Sequence, residues 1–363
     1  MDWMRYALQL AVQGKYTTHP NPMVGCVVVK DGQKIGEGAH LKAGGPHAEV
    51  YALAQANAAA QGADLYVTLE PCCHTGRTPP CTQALISAGI KRVFVASLDP
   101  NPRVKGQGVQ ALQEAGITVE VGLCQEEAQK QNESFFYYIT HKKPFLTGKW
   151  AASLDGKIAL DNGKSQWISG ELSRKKSHEL RAESSAVMVG AGTLWHDDPQ
   201  LDVRAISTSR QPVPLIVSGS GSLPFTSKLL QKNSQALCLL GSAAPPEILN
   251  ELEKRSVEFL LFPLQEGSFP WELVLHALGK REIRNVLVEG GAGLMTSLYQ
   301  AGCLQRLCCF VSPKVLGGNK SIISHTLFQD IPLQADYRLN HLERLGDDVF
   351  LEYGKVEGLL ERE

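Results

Sequence analysis

Two short segments carry side chains whose types and spacing can do chemistry together. One is Pro46-His47-Ala48-Glu49. The other is Glu70-Pro71-Cys72-Cys73-His74-Thr75-Gly76-Arg77-Thr78-Pro79-Pro80-Cys81. One imidazole and two thiolates form a donor set for Zn²⁺, and three protein ligands leave a fourth position for a water whose pKa the metal lowers. A carboxylate held nearby, off the metal, can move protons between that water, a ring nitrogen and a leaving amine. The chemistry is hydrolytic replacement of an exocyclic amine by oxygen. In this reading His47 is the imidazole ligand, Cys72 the first thiolate and Glu49 the proton shuttle.

The H-x-E…P-C-x-x-C signature of zinc deaminases contains these parts, but the second thiolate departs from it. C-x-x-C requires a cysteine at 75, which is Thr75; the next is Cys81, with eight residues between it and Cys72. Pro79-Pro80-Cys81 ahead of a helix delivers a ligand at a helix N-terminus, where the dipole favours a thiolate. Cys73, adjacent to Cys72, points elsewhere. Two blander readings stand beside this one. His47 and Glu49 can be polar groups at a helix start, with the cysteines as core thiols. A closed structural zinc site would take His74 as fourth ligand and leave Glu49 without a role.

Positioning these residues requires strands that end, and helices that begin, at one place. Helical periodicity covers 2–14. The β-branched run 24–30, Asp31-Gly32 and 34–38 read as a β-hairpin. Helices are expected at 47–60, 81–88 and 106–115, with strands at 64–69, 92–96 and 117–121. The pattern ββαβαβαβ is a sheet with helices packed on it. A polar helix over 125–141 is broken by Lys142-Lys143-Pro144, which puts the boundary between domains 1–143 and 144–363. A second α/β rhythm follows: strands at 145–151, 186–190, 213–218, 236–240, 257–262, 284–289, 304–312 and 349–353, with helices at 171–182, near 246–255 and at 270–279. The sequence has no internal repeat.

Composition excludes several function classes. Residues 1–143 carry 13 Lys+Arg against 12 Asp+Glu, and 144–363 carry 23 against 25, for a net charge of −1. Neither half is a basic module that would bind nucleic acid. Nine cysteines, an odd count at irregular spacing, several in apolar runs, fit buried thiols in a reducing compartment. There is no signal-peptide pattern, and no apolar stretch reaches the ~18 residues of a membrane span. A cytoplasmic location, no membrane partner and a homo-oligomer are expected.

Three features together resemble the bifunctional riboflavin-biosynthesis deaminase–reductase family over nearly the whole chain: the eight-residue spacer between Cys72 and Cys81, His19-Pro20-Asn21-Pro22-Met23-Val24-Gly25, and Ala152-Ser153-Leu154-Asp155-Gly156-Lys157. The resemblance implies a cytidine-deaminase-like three-layer αβα domain followed by a dihydrofolate-reductase-like α/β domain. It implies deamination of 2,5-diamino-6-ribosylamino-4(3H)-pyrimidinone 5′-phosphate, with one zinc per chain, then NADPH-dependent reduction of the ribosyl group to ribityl. Asn21, His40, His74 and Arg77 would contact the first substrate. Ala151, Trp167, Ser169, Thr193, Asp197 and the turn Gly291-Ala292-Gly293 would lie along NADPH. Lys149, Ser165, Arg181, Leu201, Arg204 and Glu289 would face the second substrate, with Arg181 and Arg204 suited to its phosphate. The C-terminal half lacks a G-x-G-x-x-G opening, so a Rossmann reading is weak. Val288-Glu289-Gly290-Gly291-Ala292-Gly293 is instead a strand-to-helix turn whose backbone N–H groups can approach a phosphate.

Two rival readings make different demands. A nucleic-acid-editing deaminase with a fused binding domain needs a basic second half. A zinc-stabilised binding module needs four protein ligands and no Glu49.

Overall fold

The computed structural model describes residues 2–74, 80–102, 104–231, 234–324, 327, 332 and 335–356. The chain divides into two compact units, Met1–Lys142 and Lys143–Glu363.

In the first unit the elements run α1 (Trp3–Ala11), β1 (Gly25–Lys30), β2 (Gln33–Ala39), α2 (Ala48–Ala56), β3 (Asp64–Val67), α3 (Cys81–Ser87), β4 (Arg92–Val95), α4 (Gln107–Glu114), β5 (Thr118–Val121), α5 (Gln125–Gln131) and α6 (Glu133–His141). The sheet order is β2-β1-β3-β4-β5, antiparallel on both sides of β1 and parallel from β3 onward. Alternation along β1 sorts its side chains to two faces. Cys26 and Val28 face Ala48, Ala52 and Ala56 of α2, with Leu85 of α3 and Leu112 of α4 in the same cluster. Val27 and Val29 face Met4, Ala7 and Leu8 of α1, with Ala128 of α5. The result is a three-layer αβα unit. Each such fully buried Val or Leu contributes roughly 1.5–3 kcal/mol relative to exposure. Asp2 caps α1, its Oδ1 accepting the Arg5 N–H at 3.1 Å.

The second unit follows with β6 (Phe145–Ala152), α7 (Glu171–Glu183), β7 (Ala186–Gly190), α8 (Ala191–Asp197), β8 (Val213–Ser218), β9 (Leu237–Gly241), α9 (Pro246–Lys254), β10 (Glu258–Phe262), α10 (Trp271–Lys280), β11 (Asn285–Val288), α11 (Ala292–Gln300), β12 (Arg306–Val311), β13 (Tyr337–Leu345) and β14 (Asp348–Lys355). Its sheet order is β10-β9-β8-β7-β11-β6-β12-β14-β13, parallel from β10 to β12 and antiparallel at β14 and β13. One face packs on Leu180 of α7 and Leu252 of α9. The other packs on Trp271, Val274 and Leu278 of α10 and on Met295 and Leu298 of α11. Near-continuous apolar runs such as Ala186–Gly190 are what a strand buried on both faces requires.

Four elements differ from the sequence expectation. Helix α2 stops at Ala56, where Asn57 takes a φ of 49° and a single 3-10 turn follows. The helix expected over 125–141 is two helices meeting at Asn132 (φ −115°), whose buried amide accepts the Met23 N–H and donates to the Met23 carbonyl, both at 2.8 Å. Helix α8, only seven residues long, runs directly out of β7 without a side-chain cap. Strand β13 is an exposed edge strand whose polar sequence lacks a buried face. Among the described residues no helix is long and apolar enough to cross a membrane.

Candidate active sites

In the first unit two helix starts and one strand end converge. His47 immediately precedes α2, Cys81 is the first residue of α3 after Pro80, and Cys72 follows the end of β3. The imidazole Nδ1 lies 3.2 Å from Cys81 Sγ and 3.6 Å from Cys72 Sγ, and the Cys81 N–H points at Cys72 Sγ at 3.4 Å. Potential ligand atoms of the three residues all lie within 4.8 Å of one another. The Cys81 thiol, helped by His47 and the Cys81 backbone N–H, pulls Cys72 down to about 4 against the effect of burial, while the same contact pushes Cys81 up. The pair competes for one proton, and a cation would relieve that competition.

Glu49 and His74 are not in that ligand group. Glu49 sits on the first turn of α2 at 3% exposure, and its Oε2 has no hydrogen-bond partner among the described residues. Such a buried orphan atom is costly unless something outside the protein completes it. Burial raises its pKa. A soft donor set of one nitrogen and two sulfurs beside a carboxyl with one unpartnered oxygen fits zinc with an open fourth position. His74 is exposed, so the four-ligand structural alternative lacks its ligand. Cys73 Sγ lies near Gln107 Oε1 at 3.9 Å, away from the cluster.

Asn21 and His40 stand beside this group. Asn21 Nδ2 is 3.1 Å from His40 Nε2, His40 Nδ1 is 3.0 Å from the Pro46 carbonyl oxygen, and the His40 and His47 rings meet edge-on at 5.4 Å. Burial lowers the His40 pKa, which favours the neutral ring. Arg77 lies outside the described residues. Two polar residues here were missed from sequence. Asn132 holds Met23, two residues after Asn21. Asp99, after β4, is raised to about 6 mainly by burial, with Glu70 adding to it.

The second unit contains a cavity of about 890 Å³ at the C-terminal ends of its parallel strands. All fourteen residues expected to contact cofactor or substrate there line it. Gly291, Ala292 and Gly293 form the start of α11, and the Gly291 N–H donates to Thr193 Oγ1 of α8 at 3.1 Å, so two helix starts are tied together. Gly192 and Gly293 both line the cavity, and a Cβ at either position would meet nothing within 4 Å. Packing against other elements therefore does not demand glycine there, and the bare backbone leaves room for a ligand to lie close against it, as a dinucleotide phosphate would. Trp167 is 60% exposed, with the Arg174 guanidinium 4.9 Å from its ring centre, and the Ser169 carbonyl accepts from Arg174. Ser165 Oγ donates to Asp197 Oδ1 at 3.3 Å. Ala151 belongs to the end of β6, and buried Leu201 takes a φ of 55°.

Three charges in this cavity form one network. Arg181 donates from Nε and Nη2 to Glu289 at 2.6 and 2.9 Å, and from Nη1 to the Asp202 carbonyl at 3.0 Å. Lys149 Nζ lies 3.6 Å from Glu289. Burial works to raise the Glu289 pKa, but Lys149 and Arg181 outweigh it and hold the carboxyl at about 2. The Arg181 fork is thus engaged with Glu289 and the Asp202 carbonyl, whereas the exposed Arg204 pairs, among the described residues, only with the Asp202 carboxylate. Arg174 and His178 also line the cavity and were missed. Their spacing with Arg181, at i, i+4 and i+7 on one helix, was the available signal.

Comparison with known proteins assigns each unit to a family. A family model described as the cytidine and deoxycytidylate deaminase zinc-binding region matches residues 1–97, and one described as the RibD C-terminal domain matches residues 144–351. The riboflavin biosynthesis protein RibD of Aquifex aeolicus is 45% identical over 350 residues, covering 96% of this chain and 97% of its own. The solved RibD of Acinetobacter baumannii (form 1) superposes with a TM-score of 0.87 at 40% identity, covering 98% of both chains. The Thermotoga maritima structure, named a diaminohydroxyphosphoribosylaminopyrimidine deaminase/5-amino-6-(5-phosphoribosylamino)uracil reductase, superposes with a TM-score of 0.81 at 37% identity over 97% of both. The expected deaminase-like αβα and dihydrofolate-reductase-like folds are therefore borne out. This chain belongs to the RibD family of riboflavin-biosynthesis proteins, and carries a zinc-dependent deaminase and an NADPH-dependent reductase on one polypeptide.

Proposed function

We propose that the Met1–Lys142 unit deaminates 2,5-diamino-6-ribosylamino-4(3H)-pyrimidinone 5′-phosphate, and that the Lys143–Glu363 unit reduces the product's ribosyl chain to give 5-amino-6-(5-phosphoribitylamino)uracil. The observation that carries this reading is the convergence of His47, Cys72 and Cys81 beside a buried carboxyl oxygen that has no partner. The two reactions named for the Thermotoga relative support the substrate choice.

His47, Cys72 and Cys81 would hold the zinc, which supplies a Lewis acid that lowers the pKa of a water. Glu49, its pKa raised by burial, takes and returns a proton at Oε2. Asn21, oriented by the neutral His40, offers its amide to the pyrimidine, and His74 and Arg77 serve the substrate's polar rim. In the second unit NADPH supplies the hydride. The Gly291-Ala292-Gly293 turn and Thr193 would hold its phosphates, and Ala151, Trp167, Ser169 and Asp197 would complete its binding site. Lys149 and Asp197 are the polar groups for the reacting end. Glu289, itself held by Arg181, holds Lys149 in place, Ser165 and Leu201 shape the substrate side, and Arg204 receives the phosphate.

The even charge of both halves argues against nucleic acid as a substrate. Nine free cysteines favour the cytoplasm. The exposed Leu339 and Leu342 on the edge strand β13 favour a homo-oligomer.

Zinc-loaded protein given the diaminopyrimidine alone is expected to release ammonia. With NADPH added, cofactor oxidation should follow. Absence of ammonia from fully zinc-loaded protein overturns the reading.

A further inference from the structure

Strand β3 ends at Val67, so Cys72 lies beyond the sheet ladder. Three contacts hold the chain between them. The Thr68 N–H donates to the Gly25 carbonyl at 3.1 Å, and the Glu70 N–H to the Ser97 carbonyl at 3.0 Å. The third contact is the Glu70 side chain, 4% exposed. Its Oε2 accepts the N–H groups of Asp99 at 3.1 Å and Gly106 at 3.0 Å. Its Oε1 accepts those of Gly108 at 2.9 Å and Val109 at 3.2 Å. One carboxylate thus satisfies four backbone donors, three of them at the start of α4.

The backbone is shaped to allow this. Gly106 takes a φ of +79°, a conformation that favours glycine. Gly108 is packed so closely that a Cβ there would lie 2.1 Å from the Pro71 carbonyl oxygen. Helix α4 therefore presses on the peptide that leads into Cys72. From Cys72 the order passes on: its carbonyl accepts the Thr82 N–H at 3.2 Å, and its sulfur accepts the Cys81 N–H at 3.4 Å.

We propose that Glu70 is a positioning residue for the metal site. Its carboxylate clamps Pro71-Cys72 to the start of α4, and so fixes the Cys72 sulfur relative to His47 and Cys81. The inference rests on the zinc reading of those three residues. Glutamine cannot replace Glu70, because its amide nitrogen would turn a donor toward two of the four N–H groups. Metal sites depend on such supports at one remove from the ligands, typically by about 10–100-fold in affinity.

The test uses full-length protein with Glu70→Gln and, separately, Gly108→Ala, which disturbs the same contact from the other side. Zinc affinity is read by competition with a chromophoric chelator, ligand geometry by the visible spectrum of the cobalt-substituted protein, and stability by urea unfolding. Both variants are expected to bind zinc about 10–100-fold more weakly and to shift the cobalt bands. Should Glu70→Gln fail to fold, Gly108→Ala decides alone. Wild-type zinc affinity and an unchanged cobalt spectrum in the folded variants overturn the proposal, even if urea stability falls, because Glu70 would then be only a helix cap. A wild-type protein that binds no zinc overturns the metal reading itself, a failure visible without any variant.

Discussion

The two sites are built in opposite ways. In the first unit, three candidate ligand atoms lie within 4.8 Å of one another, delivered by two helix starts and one strand end, and the carboxyl proposed to carry the proton is buried at 3% exposure. In the second, the fourteen residues proposed to contact cofactor or substrate spread around a cavity of about 890 Å³, and its strongest electrostatic feature is a network of Lys149, Arg181 and Glu289 made by the protein with itself. A metal site is a matter of donor identity and distance, so each residue is indispensable. A cofactor cavity is a matter of shape and pre-set charge, so its residues share the task.

That contrast is broken most severely at Glu49. Glu49→Gln should keep zinc and fold yet lose deamination by about 10²–10⁴-fold, because the proton carrier is gone. Near-normal ammonia release by the variant would remove Glu49 from the mechanism.

In the second unit the largest effect should come from stability. Glu289→Gln leaves Arg181 and Lys149 without their counter-charge and should cost about 3 kcal/mol in urea unfolding of that unit. The linked pH dependence has a definite sign. The folded pKa of about 2 lies below an ordinary carboxylate's, roughly 4.3. The stabilisation from Glu289 is therefore complete above that ordinary value and lost as pH falls from there through about 2. Wild-type unfolding free energy should drop across this window, and the variant's should drop less. Parallel curves would mean that the network is not held in solution.

A smaller effect sharpens the cavity side of the comparison. Gly293→Ala, within α11, meets no atom of another element within 4 Å and should leave the unit as stable as before or slightly more so. It should weaken NADPH binding by about tenfold if the cofactor lies against the turn, a loss of roughly 1.4 kcal/mol. Calorimetric titration giving wild-type affinity would move the cofactor away from α11.

The same contrast governed what the sequence made legible. His47, Glu49, Cys72 and Cys81 could be read directly, since few chemistries use that combination, and the structure brings the three ligands together. The αβ order of both units followed from apolar periodicity. Strand β13 escaped because an exposed edge strand buries no face and so has no alternation to read. Helix α8 escaped because seven residues leaving a strand show neither a cap nor a full apolar stripe. The break at Asn132 depends on a hydrogen bond to Met23, 109 residues away in sequence. The occupied fork of Arg181 was equally hidden, since Glu289 is 108 residues off. Long-range polar partners leave no local signature, and they account for most of what the sequence withheld.

The central claim is that one chain holds two chemically separate sites. All proposed zinc ligands lie at or before Cys81, and all proposed cofactor contacts lie at or after Ala151. The direct measurement strips zinc from the purified protein with a chelator and supplies each unit with its own substrate: the diaminopyrimidine for the first, the already deaminated intermediate with NADPH for the second. Ammonia release should vanish while NADPH oxidation continues at close to its original rate. Loss of both activities together, with native circular dichroism, would contradict the claim.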